Sequence, residues 1–185
     1  MLAFVALPFH FQGVLGRTAV ETGLLMTPWP IAVGVAAPIA GRLADRYPAG
    51  LLGGAGLSVF ALGLTLLALM PHDASTADIV WRMAVCGLGF GFFQAPNNRA
   101  MVSSAPRNRS GAAGGMLATA RLLGQTAGAV TVAVFFHLGS TRATPLALGS
   151  AAAVAAVAAA VSLLRMRIRE PAGPVPREHA SADAG

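Results

Sequence analysis

An all-α integral membrane fold of six helices, the first of them short, is the class this sequence predicts, and three observations carry it. The chain is 55% hydrophobic and only 11% charged, with a mean hydropathy of +0.66, whereas soluble domains carry roughly 25% charged residues. Its charges lie mainly between and beyond long apolar runs. The runs show no ten-residue alternation of the kind that marks barrel strands, and a continuous apolar segment hides its backbone polar groups in lipid only as a helix.

Cutting the chain at charges and turn residues gives the elements in order. The first block, Met1 to Gly16, is short. It has no basic start and no small-residue cleavage pattern, so it reads as a transmembrane helix without its beginning and not as a signal peptide. The second, Thr22 to Gly41, is long enough for the about 20 residues that a hydrocarbon core requires. Pro28, Pro30 and Pro38 crowd it, predicting a kink. The insert Gly41-Arg42-Leu43-Ala44-Asp45-Arg46 then forms a tight loop at a membrane surface.

Leu51 to Met70 is the third block and Ile79 to Ser103 the fourth, interrupted by Pro96; Gly111 to Leu138 and Pro145 to Leu164 complete the set. Gly and Pro inside these blocks are no objection, since both are commoner in membrane helices than in soluble ones. Gly87 with Gly91, Gly111 with Gly115, and Gly124 with Gly128 stand four apart, a spacing that lets helices approach closely. The membrane part thus covers residues 1–169. The tail 170–185, rich in Pro, Ala and charge, is expected to be disordered.

Loops assigned alternately to the two membrane sides divide the arginines unequally. Arg42, Arg46, Arg107, Arg109, Arg165, Arg167, Arg169 and Arg177 share one side; Arg17, Arg82 and Arg142 share the other. The arginine-rich side is expected to be cytoplasmic, the C-terminus with it. All thirteen basic residues are Arg, which together with abundant Ala and Gly points to a GC-rich bacterial genome and a plasma-membrane location. The net charge of +6 is accounted for by lipid headgroups and topology, so no nucleic-acid partner is expected. A single cysteine, Cys86, allows no disulfide framework within the chain. No histidine pair has metal-ligand spacing, and there is no phosphate-binding loop or nucleophile elbow, so neither a cofactor, a metal nor an enzyme activity is expected.

Few residues within the blocks bear chemistry. Arg121 lies about ten residues, or ~15 Å of helical rise, past Ser110, near mid-membrane, where a charge costs ~2.5 kcal/mol or more. Two readings fit it: a wall of a polar cavity, or a clamp on backbone carbonyls or on Gln125 one turn on. Gln94, Asn97 and Asn98 fall at i, i+3, i+4 beside Pro96 and form one polar stripe, suited either to interhelical hydrogen bonds or to contact with a ligand. Arg99 follows, close enough to the membrane surface to snorkel. His10 and His137, near block ends, read as interfacial residues. No Asp or Glu lies inside any block, so no embedded carboxylate is available for proton relay.

These residues resemble a known family over roughly Leu7 to Phe136. Leu7-Pro8-Phe9-His10-Phe11-Gln12 with Gly16, Gly23-Leu24 and Pro28, then the Gly41 to Arg46 loop, Gly87-Leu88-Gly89-Phe90-Gly91 with Pro96-Asn97, and Arg121-Leu122-Leu123-Gly124-Gln125 are similar to the major facilitator superfamily, in its fourteen-helix drug:proton antiporter branch. Three departures assign the likeness to the C-terminal half. Pro48-Ala49-Gly50 replaces the basic residues that usually close the loop motif, Gly128-Ala129 stands where an N-terminal half has Gly-Pro, and the first helix lacks an acidic residue.

What the resemblance implies is a six-helix half-bundle of a transporter, its first helix truncated. The implied activity is proton-coupled efflux of small amphipathic organic compounds by alternating access. Arg121, Gln94, Asn97, Asn98 and Gln125 would face the substrate cavity. Gly41, Arg42, Asp45 and Arg46 would form a cytoplasmic gate, with Asp45 accepting at a neighbouring helix N-terminus and pairing with Arg; a plain topology anchor is the other reading. Implied partners are the lipid bilayer, a missing N-terminal half or a second copy, a small organic substrate and a proton gradient. A non-transporting membrane interaction subunit and a homodimeric half-transporter remain as alternatives, and an in-frame continuation upstream of Met1 would mark a truncated gene.

Overall fold

The computed structural model describes residues 2–71, 73–103, 106, 109–137 and 143–168, with side chains to 164. Among these there are helices and turns but no strand. The helices are α1 (Leu2–Gly13), α2 (Ala19–Met26), α3 (Pro28–Leu43), α4 (Ala49–Ala68), α5 (Thr76–Ser103), α6 (Ser110–His137) and α7 (Ala143–Ile168). With α2 and α3 taken together as Ala19–Leu43, five segments are long and apolar enough to cross a membrane, and α1 is a shorter apolar helix. The expected tail at 170–185 lies outside the described residues, as do Arg107, Arg142 and the side chains of Arg165 and Arg167.

Helix boundaries depart from the apolar blocks where local chemistry intervenes. α1 ends at Gly13, and the following Gly16 takes φ +63, a left-handed turn that only glycine adopts without penalty. α2 opens with a capping box: Thr18 Oγ1 accepts from the Glu21 backbone N–H, and the Glu21 carboxylate accepts from the Thr18 N–H at 2.9 Å. That reciprocal pair satisfies N-terminal donors that nothing within the helix can reach, and it starts the span three residues before Thr22.

The kink expected from the prolines appears as a helix break at Thr27. Pro28 and Pro30 have no N–H to donate one turn back, and Thr27 Oγ1 donates instead to Gly23 O at 2.9 Å. By contrast α3 continues through Pro38, and α5 continues through Pro96, so each stays a single helix across its proline. Within the spans, Ser58, Thr65, Thr119, Thr126 and Thr131 all donate to the carbonyl four residues back, which keeps their hydroxyls satisfied in an apolar setting.

α5 is the pivot of the packing. It lies between α3 and α4, and α7 backs onto α4. Glycines set these distances. A methyl at Gly89 would lie 2.7 Å from Phe60 Cα and 2.9 Å from Gly56 O, and one at Gly87 would lie 2.7 Å from Ala32 Cβ. Backbone therefore meets backbone on two sides of α5, through Gly89 towards α4 and through Gly87 and Gly91 towards α3. Leu7, Phe11, Trp29, Leu64, Ile79, Met83, Cys86 and Leu148 fill the core around them.

α6 is different. Its buried residues are Gly128 and Val132, where it meets Ala6 of α1 and Ala147 of α7, and the Phe136 ring packs tilted against Phe9 with centroids 5.1 Å apart. All these contacts are in its second half. In the first half a methyl at Gly111, Gly114 or Gly115 would meet nothing within 4 Å, nor would one at Gly124 just past the middle. Of the three glycine pairs expected to pack helices, Gly87 and Gly91 do so within this chain. Gly111 and Gly115 do not, and of the third pair only Gly128 is buried.

Candidate functional site

Two polar groups gather on the side of the bundle that bears the Gly41 to Arg46 loop. The first is the loop motif itself, which is only half a loop: Gly41, Arg42 and Leu43 form the last turn of α3, and Ala44, Asp45 and Arg46 the turn after it. Asp45 pairs with Arg99 at 2.7 Å, and Arg99 also reaches Gly41 O at 3.5 Å. Arg99 is on the last turns of α5, so the pair joins the loop after α3 to the end of the central helix. Both side chains are more than half exposed, which limits the pair to the 0–1 kcal/mol of a surface bridge. Arg42 and Arg46 are exposed and contribute their backbone carbonyl and N–H to the turn. Among the described residues Asp45 thus pairs with an arginine of α5, which runs long enough to bring Arg99 level with the loop.

The second group joins α5 to α6. Arg121 Nη2 donates to Asn98 Oδ1 at 3.5 Å, a side-chain hydrogen bond between the two helices. Arg121 is exposed and Asn98 half-buried. The contact stands where α6 leaves the bundle: beyond it, towards Ser110, α6 is open on all its glycines. The rest of the polar stripe divides. Asn97 Nδ2 turns along its own helix to Met101 Sδ at 3.7 Å, and Gln94 and Gln125 are half-buried. Thus Asn98 and Arg121 come together, and Asn97 does not join them.

Two apolar clefts lie elsewhere. One of about 480 Å³ runs between α4 and α7, lined by Leu62, Thr65, Gly149 and Ala153 among others. One of about 230 Å³ is walled by Trp29 and Phe60 and by the alanine face of α7. Neither includes Arg121, Asn98, Gln94, Asn97 or Gln125. No group of three or more His, Cys, Asp or Glu that could hold a metal occurs among the described residues.

Sequence reasoning missed two features. Arg99, expected to snorkel, instead pairs across 54 positions with Asp45, a contact no local spacing announces. Arg82, counted only for topology, is largely buried near the start of α5. It bonds Asp78 at 3.5 Å and lies over the Trp81 ring at 5.2 Å, while its Nε and Nη1 are buried without a partner among the described residues. The i, i+4 placement of Asp78 and Arg82 was the available signal for the first of these contacts.

This architecture, glycine-packed apolar spans around a central helix with a charged loop tied to its end, agrees with what the sequence comparisons find. The family model of the Major Facilitator Superfamily matches residues 1–184. The chain belongs to that superfamily. It is 54% identical over 166 residues to the uncharacterized transporter YebQ of Escherichia coli (strain K12), covering 90% of this chain and 36% of YebQ. It is 31% identical to the riboflavin transporter RibZ of Clostridioides difficile (strain 630), covering 70% of this chain and 28% of RibZ. It is also 31% identical to the multidrug efflux pump LfrA of Mycolicibacterium smegmatis, covering 80% of this chain and 32% of LfrA. The chain therefore spans about a third of the length of these bacterial superfamily members, and its six helices are a half-bundle of the superfamily fold.

Proposed function

We propose that this chain is the C-terminal half of a proton-coupled exporter of small amphipathic organic compounds, working by alternating access in a bacterial plasma membrane. The observation that carries the reading is the uncovered first half of α6. A helix of membrane length with open glycines and a mid-depth arginine is complete only when other helices lie against it. A chain spanning a third of its relatives leaves ample sequence elsewhere to supply them. In this reading the Gly41 to Arg46 face is cytoplasmic. Arg121, Asn98, Gln94, Asn97 and Gln125 belong to the cavity wall between halves. Asp45 with Arg99 steadies the closed cytoplasmic side, together with Gly41, Arg42 and Arg46 of the same loop. The relative named as a multidrug efflux pump supports export, and because the acidic residues of these helices, Glu21 and Asp78, stand only in first turns, the reading gives the proton carrier to the other half.

Proteoliposomes holding only this chain should move no dye under an imposed proton gradient; gradient-dependent transport by the chain alone would falsify the half-transporter reading. In native membranes, a cysteine at position 115 should crosslink to a polypeptide bearing the N-terminal helices. Crosslinks exclusively between copies of this chain would point to a homodimer instead, and capture of an unrelated helical bundle would point to an interaction subunit.

A further inference from the structure

We infer that the Arg121–Asn98 pair is an anion-recognition site, which makes this half of the cavity selective for amphipathic substrates bearing a carboxylate or sulfonate; the inference rests on the cavity reading above. Charge accounting on this side of the bundle leads to it. Beyond Arg42 and Arg46 of the Gly41 to Arg46 motif and Arg109 just before α6, two arginines on this side of the bundle, Arg99 and Arg121, lie on α5 and α6. Arg99 is neutralised by Asp45 at 2.7 Å. For Arg121 the hydrogen-bond partner among the described residues is a neutral amide at 3.5 Å, a long contact that supplies no counter-charge. None of the described helix segments facing it offers a carboxylate: the acidic side chains of the helices, Glu21 and Asp78, stand in the first turns of α2 and α5, at the opposite face.

The geometry suits an incoming anion. A guanidinium presents parallel N–H donors that match the two oxygens of a carboxylate. The Asn98 amide, whose Oδ1 accepts from Arg121, keeps its Nδ2 donors for a second contact. Around them α6 is low in profile: Ala118 and Gly124 lie one turn before and after Arg121, and a methyl at Gly124 would meet nothing within 4 Å. A flat apolar body can therefore lie along α6 while its acidic group meets Arg121. In a low-dielectric wall an uncompensated cation attracts anions and repels cations far more strongly than in water.

The test uses the chain in nanodiscs of zwitterionic lipid, with equilibrium dialysis of two probes that share one ring system, 1-naphthaleneacetate and 1-naphthylmethylammonium, each corrected for partition into empty discs. The carboxylate should bind at least about tenfold more tightly than the ammonium. Arg121→Gln should erase that preference and Arg121→Lys should keep most of it. Asn98→Asp, which adds a built-in counterion without changing shape, should reverse it, with helical circular dichroism reporting that each variant is folded.

Equal binding of both probes, reduced alike by Gln94→Leu, would overturn anion selection and leave the cavity reading standing. Binding of neither probe above empty discs would overturn both. Loss of carboxylate binding when phosphatidylglycerol is added to the discs would assign the site to a lipid headgroup and overturn the substrate inference.

Discussion

α5 and α6 are both 28 residues long and both rich in glycine, yet the bundle uses them in opposite ways. A third of the apolar window of α5 is buried, 33%, against 11% for α6. The glycines of α5 are filled by neighbours: Gly89 meets α4, and Gly87 and Gly91 meet α3. In α6, Gly111, Gly114, Gly115 and Gly124 meet nothing. A small-residue repeat therefore announces that a helix is to be approached closely, and says nothing about whether the approaching helix is in the same chain.

The most direct way to break this contrast is to add a methyl at Gly89. Its Cβ would fall within 3 Å of the Phe60 Cα and the Gly56 carbonyl, and neither backbone atom can rotate away. Overpacking of a well-filled core costs typically 1–3 kcal/mol, and two backbones in register place Gly89→Ala at about 3 kcal/mol, the top of that range. Denaturant titration of helical circular dichroism in bicelles measures it. A cost below about 0.5 kcal/mol, the level of an ordinary surface change, would mean that α4 and α5 are not as closely apposed as described.

A second measure of the same contrast is access. Cys86 is fully buried against Gly63, whereas position 115 faces open space. In the folded chain alone, without partner helices, a maleimide should label a cysteine placed at 115, in a Cys86→Ser background, at least about 100-fold faster than it labels Cys86, since each 1.4 kcal/mol of opening cost is a factor of ten. Comparable rates would show that α5 opens as readily as α6.

Asp45 and Arg99 tie the tightly packed helix to the loop, and their contribution should be far smaller. Asp45→Asn is expected to cost about 0.2–1 kcal/mol, an effect that fades in high salt as an exposed ion pair is screened. A loss of more than 2 kcal/mol would show that the pair is buried by something beyond these helices.

The fold was readable because lipid restricts the alternatives: long, apolar segments can span only as helices in the absence of barrel alternation. Boundaries moved where the cause was local, as at Thr18 with Glu21 and at Thr27 before Pro28. The site was only partly readable. Arg121 announced itself by its cost in the membrane, and Asn98 by its stripe, but nothing in the spacing separated Asn98 from Asn97, which turns to Met101 instead. The Asp45–Arg99 pair depends on how far α5 extends relative to the loop after α3. That is a tertiary quantity, invisible to any i, i+4 pattern.

The smallest expected effect is also the one that most sharpens the comparison. Gly115→Ala in the chain alone should be neutral or stabilising by up to about 1 kcal/mol, because alanine is the better helix former and the new methyl meets no neighbour. With the partner helices present the sign should reverse: a methyl wedged into a close helix crossing should cost about 1–3 kcal/mol, as it does in a filled core. The same substitution, measured by denaturant titration in bicelles with and without the partner, thus reads the vacancy directly. A neutral effect in both states would leave the glycines of α6 without a packing role, and the likeness between the two helices would end at their composition.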